Sequence, residues 1–407
     1  MKSALSHVTV LDLSRVLAGP WAGQVLADLG AEVIKLERPG TGDDTRGWGP
    51  PFLRDAAGRD TTDAAYYLCA NRNKKSITVD FTTAEGQAIV RDLARTSDVV
   101  LENFKVGALQ AYGLDYASLR TVNPSVIYCS ITGFGQTGPY ARRAGYDLLV
   151  QAMGGLMSIT GRRDDEPGAG PQKAGVAVTD ILSGLYATIG ILAALAHRER
   201  SGEGQHIDVG LLDVQVACLA NQAMNYLVGG TAPQRSGNAH PNLVPYQDFP
   251  TSDGYMIIAV GNDAQFSRLC GILGLAALAQ DPSFATNKQR VVNRRELIDR
   301  LSAVTVTHPT AHWTRALENV GVPGGPINSL DAVFADPQVR ARGMRIELPH
   351  PTSGSVSLVA NPLRLSETPV TYRSAPPPLG AQTREVLGQR LAISAGALEE
   401  LHAKGII

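Results

Sequence analysis

At 407 residues, with 37 basic against 38 acidic side chains and 44% hydrophobic residues, the chain has room for two domains or one elaborated α/β domain. No block of like charge marks a nucleic-acid or anionic-membrane footprint, so the expected partners are small molecules and other subunits, with no nucleic acid and no membrane. Cys69, Cys129, Cys218 and Cys270 lie too far apart for a zinc site or a disulfide scaffold and read as apolar fillers in a reducing compartment.

The N-terminal stretch MKSALSHVTVLDLSRVLAGP has an apolar run broken by His7 and Asp12, unlike the core of a secretory signal, and HVTVLDL within it reads as a strand. AGQVLADLGA then has helical spacing, AEVIKLE is a second strand, TAEGQAIVRDLARTS an amphipathic helix and DVVLEN a third strand. Such alternation predicts an open α/β fold with a parallel sheet. SVIYCSIT and GQHIDVGLL extend the sheet and flank a long helix that begins near Asp180. The most apolar part of that helix, Leu185 to Ala196, falls short of the ~20 residues of a membrane span. After Val228 the texture changes to turn formers, a hairpin around SDG, and helical patterns from Ala264 to about Val320. GVPGGPIN marks a boundary, and β character returns before a Pro-rich loop and a last helix. Three segments follow: 1–225 as a large domain, 226–325 as a small α+β domain, and 326–407 returning to the first.

The turn after the first strand, SRVLAGPWAG, lacks G-x-G-x-x-G, and the chain has neither a P-loop nor H-E-x-x-H. Dinucleotide, nucleotide-hydrolysis and metalloprotease readings fall away, and no metal is expected. Asp180, where a short apolar segment meets the long helix, has two possible jobs: capping the helix through its carboxylate, or attacking an acyl carbon.

The blocks VLDLSRVLAGP, LGAEVIKLERPGTGDDTRGWGPPF, NRNKKSITVDF, ENF, YCSITGFGQTGPYARRAGYD, GVAVTDILSG, GVPGGPINSLDAVFADPQV and PPPLGAQTREVL, in this order, resemble the class III, formyl-CoA transferase-like CoA-transferases. The resemblance implies a Rossmann-like large domain, a smaller second domain, an interlocked homodimer, and Asp180 as the acyl-accepting aspartate; the chain's own lack of a signal-like or spanning segment reads as cytoplasmic. The resemblance places the backbone of Val16, Leu17 and Ala18 at the thioester end. Arg38, Leu68, Asn71, Arg72, Asn73, Lys75, Asn103 and Phe104 would line the CoA groove. The basic residue that the family carries a few positions after ENF is not evident here, where Gln110 and Ala111 stand. Leu17 stands where the formyl-CoA transferases have Gln, which argues against formate or oxalate. Tyr146 stands where the related α-methylacyl-CoA racemases have His. A tyrosine of ordinary pKa near ~10 is a poor base, so transferase is favoured over racemase. No cofactor is needed; acyl-CoA and a free acid are the substrates.

The runs RVLAGP, GDDTR, RAGYD and VPYQDF resemble the succinyl-CoA:glutarate, or dicarboxylate, branch of that family. A second carboxylate needs a cation, for which Arg15, Arg46 and Arg143 are the candidates, Arg15 being placed by the motif beside the thioester. His240 and the turn Gly261 to Asp263 are expected at the small domain's edge, as closing elements or ordinary loops. A transferase for another acid, a racemase, or a non-catalytic CoA-binding protein are the alternatives.

Overall fold

The computed structural model describes residues 3–407, which divide into two units. The first contains Met1–Leu156, Ala174–Met224 and Pro337–Ile407; the second contains Met157–Lys173 and Asn225–Asp336. The segment from 157 to 173 thus belongs to the second unit, as does the chain as far as Asp336.

In the first unit the strands are β1 (Thr9–Asp12), β2 (Glu32–Glu37), β3 (Phe52–Arg54), β4 (Asp60–Ala64), β5 (Lys74–Thr78), β6 (Val99–Glu102), β7 (Ile127–Thr132) and β8 (His206–Gly210). The helices up to the same point and just beyond are α1 (Ala18–Asp28), α2 (Ala65–Leu68), α3 (Ala84–Arg95), α4 (Tyr116–Val122), α5 (Asp147–Met153), α6 (Leu156–Ile159), α7 (Val178–Ser201) and α8 (Leu211–Ala217). Six strands form one all-parallel sheet in the order β5-β2-β1-β6-β7-β8, while β3 and β4 pair separately. Numbered within the sheet this is 3-2-1-4-5-6, the dinucleotide-fold order, whose direction reverses between β1 and β6.

Strand residues alternate between two apolar layers. Val10, Val33, Val99, Leu101, Ile127 and Cys129 face the layer that includes residues of α1, α7 and α8. Leu11, Ile34, Ile77, Val100 and Tyr128 face the layer of α3, α4 and the C-terminal helices Thr383–Leu391 and Ala395–Ala403. α7, at 24 residues, is long and apolar enough to cross a membrane by length and composition, but it packs on α1, α8, β7 and β8.

The second unit is built on an antiparallel sheet of Tyr246–Thr251, Gly254–Ala259 and Gly324–Pro326, the first two forming the expected hairpin. Phe249, Met256, Ile258, Phe266, Leu301, Trp313 and Leu317 make its core.

A buried group of charges closes the C-terminal edge of β1 and β2. Lys35 donates to Asp43 Oδ2 at 2.8 Å and to the Ser14 carbonyl at 2.9 Å; Lys74 donates to Asp12 Oδ2 at 2.9 Å, Pro20 O at 2.8 Å and Asn71 Oδ1 at 2.9 Å. All four charged side chains are essentially inaccessible to water. Burial alone would raise both carboxyls, but Lys74 and Lys35 outweigh it at Asp12, and Lys35 with Thr45 brings Asp43 down to about 2. Lys35→Met keeps the length and removes the charge, leaving Asp43 uncompensated. It should lower the unfolding free energy at pH 7 by about 3–5 kcal/mol in urea titration, the usual cost of breaking one half of a buried pair. A loss below about 1 kcal/mol would show the pair to be dispensable.

Candidate active site

The chain leaves β1 at Leu13 and enters α1 through Arg15, Val16 and Leu17, at the crevice where the sheet order reverses. Val16 has φ 71°, a left-handed conformation costly for a β-branched residue and found where the surroundings over-determine the backbone. Those surroundings are specific. Arg15 N donates to Asn103 Oδ1 at 2.8 Å, and Asn103 Nδ2 returns a bond to Arg15 O at 2.6 Å. Val16 N lies 3.3 Å from both Asp43 oxygens. The Val16 amide therefore points into the fold, which corrects the expectation that it serves an acyl oxygen. α1 begins at Ala18 with no side chain capping it, and Val16, Leu17 and Ala18 line a cavity.

That cavity, of about 170 Å³, also takes in Arg15, Asn103, Phe104, Lys105, Arg143, Tyr146 and Asp180. Asp180 is not the cap of α7. The N-cap is Ala177, without a side-chain bond, and Asp180 lies in the first turn. The capping acceptor comes from α5: Asp147 Oδ1 accepts the amides of Thr179 at 2.8 Å and Asp180 at 3.2 Å. Burial first, and the Asp147 charge second, push the Asp180 carboxyl up to about 7.

The loop carrying Tyr146 and Asp147 is set by two glycines. A Cβ added to Gly145 would come 2.5 Å from Gly133 Cα, so the loop crosses the end of β7 at a distance only glycine permits. Tyr146 is 68% exposed at the rim of the cavity.

An adjoining groove is lined by Arg38, Phe81, Phe104 and Tyr112 among others. Phe81 meets Phe104 and Tyr112 edge-on, with centroids 5.7 and 5.5 Å apart. The remaining expected CoA ligands lie elsewhere. Leu68 is in a core cluster with Tyr67 and Leu348. Arg72 clamps Asp28 through Nε and Nη2 at 2.9 and 2.6 Å, and Asn73 shares that carboxylate. Asn71 bridges Tyr67 O and Lys74. Lys75 pairs with Glu32 and Glu385. None of these five lines either cavity: Leu68 packs in the core, Asn71 and Asn73 bond to neighbouring buried groups, and Arg72 and Lys75 turn to carboxylates on other elements.

Arg46 is likewise removed from the acceptor candidates. It is buried, forks onto Glu37 at 2.8 and 2.7 Å, meets Asp63 at 2.5 Å and stacks 3.7 Å over the Tyr67 ring. Arg15 pairs with Asp44 at 3.0 Å on the surface and lies 5.2 Å over Phe104. The Arg143 guanidinium rests 4.5 Å over Tyr140 and 5.5 Å over Phe134, and no carboxylate among the described residues pairs with it. Lys105 and Asp147 were not singled out by sequence, although Lys105 directly follows ENF and Asp147 directly follows Tyr146. In the second unit, His240 Nδ1 accepts from Asn242 and Leu243 amides, and Asn262 caps the helix Asp263–Ile272.

The model of CoA-transferase family III matches residues 5–383. The chain belongs to CoA-transferase family III. Over 388 residues it is 55% identical to the succinate–glutarate CoA-transferase of Agrobacterium fabrum, covering 95% of this chain and 96% of the relative. The succinyl-CoA:glutarate CoA-transferase of Mus musculus is 47% identical over 403 residues, with 99% and 90% coverage. A crystal structure of a CaiB/BaiF family protein from Brucella suis superposes with a TM-score of 0.84 at 50% identity, covering 96% of this family III chain and 100% of that one.

Because folding raises the Asp180 pKa from 3.8 to about 7, the stability associated with its neutral form is complete below about 4 and is lost as pH rises through 7. Asp180→Asn should therefore gain about 1–4 kcal/mol over the parent at pH 8 relative to pH 4 in urea unfolding, the upper end being the full free energy of that pKa change. An equal difference at both pH values would show that Asp180 titrates normally.

Proposed function

We propose that this enzyme moves CoA from succinyl-CoA to glutarate or a related dicarboxylate, with Asp180 as the nucleophile. The observation that carries the proposal is a carboxylate of raised basicity in the same cavity as an uncapped helix start and three cations, Arg15, Lys105 and Arg143. The names of the relatives at 55% and 47% identity support the choice of acids.

The ionised Asp180 oxygen attacks the thioester carbonyl; the C–S bond breaks, CoA leaves as thiolate, and a mixed anhydride remains. The thiolate then attacks the aspartyl carbonyl, expelling the donor carboxylate and leaving an enzyme–CoA thioester. The acceptor carboxylate reverses both steps. Each intermediate stays at the acyl level, so the sequence calls for no redox cofactor and no metal. The backbone amides at Leu17 and Ala18, at the uncapped start of α1 in the same cavity, would donate to a developing oxyanion, and the start of α1 adds its dipole. In the adjoining groove, Arg38 suits a phosphate and the Phe81, Phe104 and Tyr112 rings suit adenine.

For the far carboxylate the reading moves from Arg15 to Arg143, whose guanidinium is held by ring faces rather than by an acid. A homodimer fits the apolar side chains that α5 and α7 leave exposed in the first unit, Leu148, Leu149 and Met153 on one and Leu185, Tyr186 and Ile189 on the other. A cytoplasmic setting fits four cysteines without disulfides.

Asp180→Ala should abolish turnover and the hydroxylamine-sensitive CoA adduct detected by mass, whereas an active variant would refute the nucleophile. The acid limb of kcat/KM should bend near pH 7, falling tenfold per unit below it, as one carboxyl protonates. Arg143→Met should raise the glutarate KM roughly ten- to a hundredfold, the range for a charge-assisted hydrogen bond of about 1.5–3 kcal/mol, and leave butyrate nearly unchanged. Equal losses for both acids would return the role to Arg15 or Lys105.

A further inference from the structure

Asp147 does not line the cavity, yet it is tied to Asp180 more closely than any group that does. Its Oδ1 receives the Thr179 and Asp180 amides, and its Oδ2 receives Gln151 Nε2 at 2.5 Å. Gln151 is fully buried, and its Oε1 takes the Ala174 amide at 2.9 Å, on the segment that leads into α7. Thr179 is also buried and gives its hydroxyl to Gln215 Oε1 of α8 at 2.7 Å. The first turn of α7 is therefore held from outside by α5 and α8, in the absence of any cap of its own.

We propose that Asp147 is a positioning residue for Asp180, which it fixes by its backbone while facing it with a like charge. The two effects are separable. The cap sets where the nucleophilic oxygen stands and so governs how often it meets an acyl carbon in line. The charge makes the neighbouring carboxylate more basic, and so a stronger nucleophile once ionised. The other groups facing Asp180 are of two kinds. Tyr66 of α2 is neutral, its hydroxyl pushed up to about 12 by burial and then by Asp180. Arg15, Lys105 and Arg143, with Asp44 and Tyr146, line the shared cavity. Asp147 alone combines a carboxylate with direct hydrogen bonds to the Asp180 turn.

The inference rests on Asp180 as nucleophile for its consequence, but its test is readable without turnover. Urea-unfolding free energies of the parent, Asp147→Asn, Asp147→Ala and Asp180→Asn are to be measured from pH 4 to pH 8.5, beside pH profiles of CoA exchange. Asparagine keeps an oxygen for the two amides and removes the charge. The stability change assigned to Asp180 should move to lower pH by roughly a unit in Asp147→Asn, and the acid limb of kcat/KM should move with it. Asp147→Ala removes the acceptor as well; its kcat should fall at least tenfold at every pH, with asparagine restoring most of it and KM for the donor little changed. A titration and an acid limb that stay in place in Asp147→Asn would overturn the inference, as would equal kcat losses in the asparagine and alanine variants. If Asp180→Ala were active while Asp147→Asn still moved the stability titration, the nucleophile reading would fall and the positioning role would stand.

Discussion

The arrangement depends on one buried clamp, the Lys35 ammonium held between Asp43 and the Ser14 carbonyl. The turn out of β1 must bend sharply enough to bring the start of α1 over the sheet, which forces Val16 to positive φ at a cost of about 1–3 kcal/mol. Nothing local to SRVLAG favours that conformation. It is imposed from three directions: Asp12 bonds to Ser14 N, Asp43 receives Val16 N, and Asn103 grips Arg15 from the end of β6. Lys35 neutralises the carboxylate that does the second of these, so a charge on β2 ends up fixing a backbone angle beside β1.

The same distribution of charge decides how Asp180 behaves. A helix N-terminus favours an anion by at most about 2 kcal/mol in partly buried sites. Burial and Asp147 act in the opposite sense and win, since the carboxyl ends near 7 rather than below its ordinary value. A carboxylate at the start of a helix is ordinarily a capping device of low basicity. Here the cap is delegated to a residue on another helix, which frees the Asp180 oxygens from the local amides and leaves them available to an electrophile.

Much of this was legible in the sequence, and what was not has a physical reason. The period-two and helical patterns gave the parallel sheet, and the breaks after β1 and β6 marked the loops that meet at the reversal point. Asn103, Phe104, Tyr146 and Asp180 followed from motif order, and all four line one cavity. The cations were the weak point. NRNKK looks like a phosphate-binding turn because it is basic and polar, and Arg46 in GDDTR like a ligand for a free carboxylate, but a cation in a sequence does not say which carboxylate it faces. Arg72 and Arg46 prove to be counterions of Asp28 and Glu37, acids on α1 and β2 that lie far from them in the sequence or on another element. Asp147 is hard to find for the reverse reason: the two bonds that tie it to the Asp180 turn come from backbone amides more than thirty residues away.

The cations that do reach the cavity bear on both substrates at once. On the proposed mechanism an arriving acyl group would displace water and make the ionised Asp180 still less favourable, so an anionic nucleophile in a drying pocket would need positive charge nearby to remain reactive. Arg15, Lys105 and Arg143 are cations that line the pocket and would supply that charge, whereas only a cation without an acid partner can bind a second carboxylate tightly. The two roles leave different signatures: lost electrostatic support moves the acid limb of the pH profile upward for all acids, and a lost carboxylate contact weakens dicarboxylates alone. Arg15, already paired with Asp44, fits the first role, and Arg143, resting on Tyr140 and Phe134, fits the second.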